Sequence, residues 1–308
     1  MEKPLEIELS GPLIVVACLL MAAGLAVWTV VATRARRGLP VLPFAPRRPV
    51  PWRGGHVVLI FVVFLALGVL IQAADARLFD PPRAPAPAEG AVVVPATENP
   101  VLLLLRRSPT WGTWLLCGVA AVIVAPIFEE VLFRLVLQGW LEAVERRWRR
   151  RFPALRRLVP GMVPVVAVSL LFGALHYRLP TAQTDPRYLA HLLAADGVAR
   201  VLALTFALGV LWFEAGARAA DLGWVRGRVL GDAVLGILAF FAIGVVIYFV
   251  SDRLNARFPA NVADPLTLFL FSLILGALYY RTHRIVPAIV LHMALNFTSL
   301  TLAWFQLR

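Results

Sequence analysis

Two adjacent carboxylates and an arginine interrupt an otherwise apolar stretch of the sequence, at Glu129, Glu130 and Arg134. Each charge inside a bilayer costs on the order of 2.5–3.5 kcal/mol on insertion scales, so three together need compensation or a function. On a helix Glu130 and Arg134 are one turn apart and can pair, whereas Glu129 projects about 100° away. One carboxylate is then neutralised and the other is available for chemistry. A buried ion pair beside a snorkelling glutamate is the purely structural alternative.

Two further apolar stretches carry polar side chains at helical spacing. Phe172 precedes His176 by four positions, and His292 precedes Asn296 by four positions, so each pair shares a helix face. A histidine above an amide can contact a water molecule or a metal ion and can donate to a developing oxyanion. The structural alternative is that these side chains form hydrogen bonds between helices.

A glutamate, two histidines and an asparagine are the groups needed to split an amide bond with water. Glu129 would act as the general base, and His176 would orient or share the proton. His292 and Asn296 would stabilise the tetrahedral oxygen. Alternatively, Glu129, His176 and His292 could bind a zinc ion with an open position for water. The spacing leaves both mechanisms open, so zinc is a candidate cofactor.

Transmembrane helices are the elements that must position these residues. Hydrophobic residues make up 60% of the 308 positions, and the mean hydropathy is +0.79; soluble domains are roughly 45–50% apolar. Because lipid cannot satisfy a bare backbone, the apolar runs must be helical. The sequence predicts an all-α polytopic membrane protein with about eight transmembrane helices and a polar site between the motif-bearing helices. The predicted spans cover about residues 12–32, 56–74, 112–142, 159–178, 199–217, 230–250, 265–280 and 285–305.

The positive charge of the chain lies between the apolar runs. The formal net charge is +12, and arginines cluster at residues 34–53 and 146–157. This distribution is typical of membrane topology, with both clusters in the cytoplasm, and indicates no nucleic-acid partner. The two cysteines each lie in an apolar run, which excludes a disulfide framework. We expect an integral, multi-pass protein of a bacterial inner (plasma) membrane.

The three polar motifs, taken in order along the chain, resemble the signature motifs of the CPBP family of intramembrane proteases. They are Glu129-Glu130-x-x-x-Arg134, Phe172-x-x-x-His176 and His292-x-x-x-Asn296. The family includes the type II CAAX prenyl endopeptidases and bacteriocin-immunity relatives, and the resemblance covers roughly residues 110–300. It implies that Glu129 is the catalytic base, that Glu130, Arg134 and Phe172 support the site, and that the remaining site residues are His176, His292 and Asn296.

Comparison with the spacing of the family motifs suggests how the chain is divided. The 116 positions from His176 to His292 exceed the spacing expected for the family and leave room for two more spans around residues 199–250. Residues 1–106 are predicted to form two N-terminal transmembrane helices with a basic cytoplasmic segment and a Pro-rich loop. Residues 107–308 are predicted to form the protease core, with an inserted helical pair. The mechanism of the family has been described both as metal-dependent and as glutamate-dependent, so the resemblance leaves zinc open.

The predicted function is that of an intramembrane endopeptidase that hydrolyses a peptide bond in a membrane-associated protein or peptide. The predicted partners are that substrate and the lipid bilayer. A proton-coupled transporter is one alternative, because ion pathways also place Glu, Arg and His inside a membrane. A catalytically inactive scaffold or immunity protein, which keeps the fold without turnover, is another.

Overall fold

The computed structural model describes residues 11–42, 44–46, 48–79, 99–177 and 185–306, and the regular structure within these ranges is helical. The predicted Pro-rich loop lies largely outside the described residues. The helices in chain order are α1 (Gly11–Arg36), α2 (Gly54–Leu78), α3 (Pro100–Arg107), α4 (Trp111–Arg151), α5 (Met162–Leu175), α6 (Pro186–Glu214), α7 (Val229–Asn255), α8 (Ala260–Thr282) and α9 (Val286–Gln306). The predicted all-α class is confirmed.

Seven of the described helices, all except α3 and α5, are long and apolar enough to cross a membrane. The fourth predicted span, residues 159–178, contains α5, which has only 14 residues. At 1.5 Å per residue α5 extends about 21 Å, short of the ~30 Å hydrocarbon core. It starts after Gly161, whose φ of 82° interrupts the helical backbone, and it ends at His176. The imidazole therefore stands at a helix end, where it can turn toward neighbouring helices.

Close packing of α5 on α8 fixes the position of His176. A Cβ atom on Gly173 would lie 2.7 Å from the carbonyl oxygen of Pro265, so only glycine permits this approach. The neighbouring Phe172 is fully buried, and its ring centroid is 5.1 Å from that of Phe133 in α4. The C-terminal end of α5 is thus held between α4 and α8.

Helix α4 carries both adjacent carboxylates at a change in helical geometry. Two π-helical stretches, Gly118–Val124 and Glu130–Gln138, flank a regular turn that contains Pro126 and ends at Glu129. Proline has no N–H to donate to the preceding turn, and a wider turn accommodates that missing bond. The side chains of the two glutamates consequently project from the boundary between a regular turn and a π-helical stretch, and they contact different neighbours.

Helix α1 packs on α7, and helix α2 packs on α6 and on the motif-bearing α4. Helix α2 lies along α6, and Ile60 belongs to the same buried apolar core as Phe133. Arg48, before α2, donates from Nε and Nη2 to Asp221, after α6, at 3.0 and 2.7 Å, and these hydrogen bonds raise the pKa of Arg48. The boundary proposed between residues 106 and 107 stays a prediction.

Candidate active site

A cavity of about 410 Å³ lies within the apolar bundle, bordered chiefly by α4, α6 and α9 and the end of α5. Its wall includes all four residues for which the sequence predicts catalytic roles: Glu129, His176, His292 and Asn296. The motifs are far apart in sequence, and their side chains face one space. The geometry therefore allows a single reaction centre, and the roles of the four residues stay predictions.

Glu129 stands between a guanidinium and an imidazole. Its Oε1 accepts a hydrogen bond from Nη1 of Arg200 at 2.7 Å, and its Oε2 lies 3.9 Å from Nε2 of His292. The second distance is too long for a direct hydrogen bond. One oxygen of the carboxylate is thus held by a cation, and the other is left to contact a water molecule at the cavity wall.

His292 is oriented by the second glutamate of the pair. Its Nδ1 lies 2.9 Å from Oε1 of Glu130, and the rings of Phe172 and Phe271 pack against the imidazole with centroids 6.1 and 5.3 Å away. Because a carboxylate accepts, Nδ1 carries a hydrogen, and Nε2 is the nitrogen directed toward Glu129. The ring therefore presents one defined nitrogen to the cavity.

Glu130 and Arg134 form the ion pair that their spacing predicts. Nε of Arg134 donates to Oε2 of Glu130 at 3.2 Å, and both side chains are 0% exposed. Nη2 of Arg134 donates to Oγ of Ser272 at 2.8 Å, and the guanidinium lies 5.3 Å from the ring centroid of Phe172. The pair is buried behind the cavity and links α4 to α8 and α5. Because the pair is fully buried, it can orient His292 through Glu130 but cannot contact a substrate.

His176 and Asn296 each use one polar atom to fix their orientation. Nδ1 of His176 donates to the carbonyl oxygen of Phe172 at 2.6 Å, so in the neutral ring Nε2 is the acceptor. Nδ2 of Asn296 donates one hydrogen to the carbonyl oxygen of Ala121 at 2.8 Å. The amide nitrogen has a second hydrogen, which can serve a ligand in the cavity. Nε2 of His176 and the second hydrogen on Nδ2 of Asn296 thus stay available for contact with a ligand.

The sequence interpretation missed two charged residues of the cavity wall, Asp196 and Arg200. They lie four positions apart in α6, and Nε of Arg200 donates to Oδ2 of Asp196 at 2.6 Å. The same spacing rule that singled out Glu130 and Arg134 would have found them. The predicted span starts at about residue 199, which puts Asp196 outside the membrane and Arg200 at its edge, where a charged pair needs no special explanation.

Glu129, His176 and His292 are the residues predicted as possible zinc ligands. A catalytic zinc site needs three protein ligands that converge on one point. Among the described residues, no three His, Cys, Asp or Glu side chains are arranged to hold a metal ion. Arg200 also occupies Oε1 of Glu129, where a cationic metal would be repelled. In this geometry Glu129, His176 and His292 do not fit a zinc ion.

Comparison with known proteins identifies a family. A family model described as type II CAAX prenyl endopeptidase Rce1-like matches residues 111–298, which is more than half of the chain and includes all three polar motifs. No curated protein and no solved structure matches the chain.

Proposed function

This chain belongs to the type II CAAX prenyl endopeptidase Rce1-like family, and we propose that its polar cavity hydrolyses a peptide bond in a membrane-associated protein or peptide. The family implies a protease, and the long apolar helices make the chain an integral, multi-pass membrane protein. The observation that carries the residue assignment is the presence of Glu129, His176, His292 and Asn296 on one cavity wall. A location in a bacterial inner membrane stays a prediction.

The first step of the proposed mechanism is the activation of water. Oε2 of Glu129 accepts a proton from a water molecule, and Nε2 of His176 helps to hold that water by accepting its second hydrogen. The water oxygen forms a bond to the substrate carbonyl carbon, and the carbonyl π electrons move to its oxygen. The product of this step is a tetrahedral oxyanion, with the proton on Glu129.

The second step is the collapse of the oxyanion. The remaining hydrogen on Nδ2 of Asn296 donates to the oxyanion. Nδ1 of His292 stays bonded to Glu130, so Nε2 is the nitrogen that can donate to the same oxygen whenever it carries a hydrogen. The C–N bond then breaks, and the proton held by Glu129 passes to the leaving nitrogen. The products are a carboxyl terminus and a free amine, and Glu129 returns to its starting state.

An apolar groove beside the cavity supports access from the membrane. The groove has a volume of about 390 Å³, lies between α4 and α6, and shares Ala120 and Leu193 with the polar cavity. Its lining is aliphatic, which suits an apolar part of a substrate that approaches from lipid. We propose that the substrate enters there and presents its peptide bond to Glu129.

Hydrolysis of a fluorogenic peptide by the purified protein in detergent tests this function. Glu129→Gln keeps the shape of the side chain and removes the base, so we expect turnover to be lost while the protein stays folded. Glu214→Gln is the matched control, because Glu214 is an exposed carboxylate at the end of α6. Wild-type turnover in Glu129→Gln would overturn the proposal.

A further inference from the structure

Arg200 is the one arginine or lysine among the described residues of the cavity wall, and it reaches Glu129 from another helix. Its Nη1 donates to Oε1 of Glu129 at 2.7 Å while its Nε donates to Oδ2 of Asp196 at 2.6 Å. Its guanidinium carbon also lies 5.6 Å from the ring centroid of Phe128. Two hydrogen bonds and an aromatic contact therefore fix the plane of the guanidinium, which a lysine could not reproduce.

The two adjacent glutamates of α4 have separate cations in different environments. Glu130 and its partner Arg134 are both 0% exposed. The side chain of Arg200 is 22% exposed, and that of Glu129 is 11% exposed, so their pair borders the cavity. A purely structural pair needs no access to the cavity. A pair at its edge controls which carboxylate oxygen faces a ligand.

We propose that Arg200 is a positioning residue for the hydrolytic reaction, acting through Glu129. By holding Oε1, Arg200 leaves Oε2 as the oxygen that faces His292 and the attacking water. Asp196, one helical turn before Arg200 in α6, accepts a hydrogen bond from Arg200 and so fixes its position. The inference rests on the proposed role of Glu129 and adds a residue that lies outside all three polar motifs.

Steady-state kinetics of the full chain in detergent separate positioning from substrate binding. In Arg200→Gln, kcat should fall by about 10²-fold, because displacement of a catalytic group by about 1 Å costs that much. KM should change by less than about 3-fold, since substrate contacts are retained. In Arg200→Lys, which keeps the charge and loses the planar fork, kcat should fall by about 10-fold. Arg187→Gln is the matched control, because Arg187 is exposed on the same helix.

Chemical rescue tests whether the missing guanidinium is the cause. We expect free guanidinium ion to restore kcat of Arg200→Ala several-fold in a saturable manner, with sodium at the same ionic strength as the control. The double variant Glu129→Gln with Arg200→Ala should show no response, because the ion then has no carboxylate to position. Unfolding midpoints of all variants are measured in parallel.

Each outcome decides the inference. Wild-type kcat in Arg200→Gln would overturn it, and a rise in KM alone would assign Arg200 to substrate binding instead. Loss of turnover with a lowered unfolding midpoint and no guanidinium response would show a structural role and overturn it too. Turnover retained in Glu129→Gln would overturn the proposed function, whereas turnover lost there and retained in Arg200→Gln would overturn only the role of Arg200.

Discussion

Replacement of Glu130 by glutamine removes an acceptor that two buried donors share. Oε1 of Glu130 accepts from Nδ1 of His292, and Oε2 accepts from Nε of Arg134. A glutamine offers one oxygen and one NH₂ group, so one of these two donors would face another donor. The charge of Arg134 would also lose its partner. Glu130→Gln therefore disturbs both an ion pair and the orientation of His292.

The structure predicts different losses of unfolding free energy for substitution of the two adjacent glutamates. Glu130 and Arg134 are 0% exposed, so water cannot replace the lost partner, and breaking such a pair costs about 3–5 kcal/mol. Glu129→Gln keeps an oxygen that can accept from Arg200, and that pair is partly exposed. Arg200 also keeps Asp196 as a charged partner, so its charge stays compensated. We expect Glu130→Gln to lower the free energy of unfolding by about 3–5 kcal/mol and Glu129→Gln to lower it by about 1 kcal/mol, the net contribution of one hydrogen bond.

Unfolding by denaturant in mixed micelles, followed by tryptophan fluorescence, measures both changes on the same samples used for peptide turnover. Glu129→Gln should be stable and inactive, whereas Glu130→Gln should be unstable. If Glu130→Gln unfolds at the wild-type denaturant concentration, the pair does not compensate a buried charge and the reasoning is refuted.

Three further predictions follow from the packing and the cavity. Gly173→Ala places a Cβ 2.7 Å from the carbonyl oxygen of Pro265, so we expect a loss of about 1–3 kcal/mol and reduced turnover; Gly68→Ala, which meets no atom within 4 Å, should leave the thermal midpoint unchanged or higher. Asn296→Ala removes an oxyanion donor and should lower kcat by about 10²–10³-fold, with an unchanged kcat counting against that role. Dialysis against a chelator should leave peptide turnover unchanged, and elemental analysis that finds one tightly held zinc per chain would contradict this expectation.

The membrane class, most of the helices and the three polar motifs could be predicted because they are local properties of the sequence. A helix forms wherever an apolar run is long enough to need internal hydrogen bonds, and the pairing of Glu130 with Arg134 follows from four-residue spacing alone. The length of α5 was less predictable, because the helix begins only after Gly161 and ends at His176, inside a longer apolar run. The π-helical stretches around Pro126 in α4 were also not evident from periodicity.

Only the tertiary structure decided which side chains meet. The hydrogen bond between His292 and Glu130 joins residues 162 positions apart, and the bond between Arg200 and Glu129 joins residues 71 positions apart. Neither separation leaves a periodic pattern in the sequence, because helix packing and not helix geometry brings the residues together. The sequence thus identified Glu129 as the available carboxylate, since Glu130 has its partner one turn away. The packing of α6 showed that Glu129 has a partner as well, since only folding can place an arginine of a distant helix on the cavity wall.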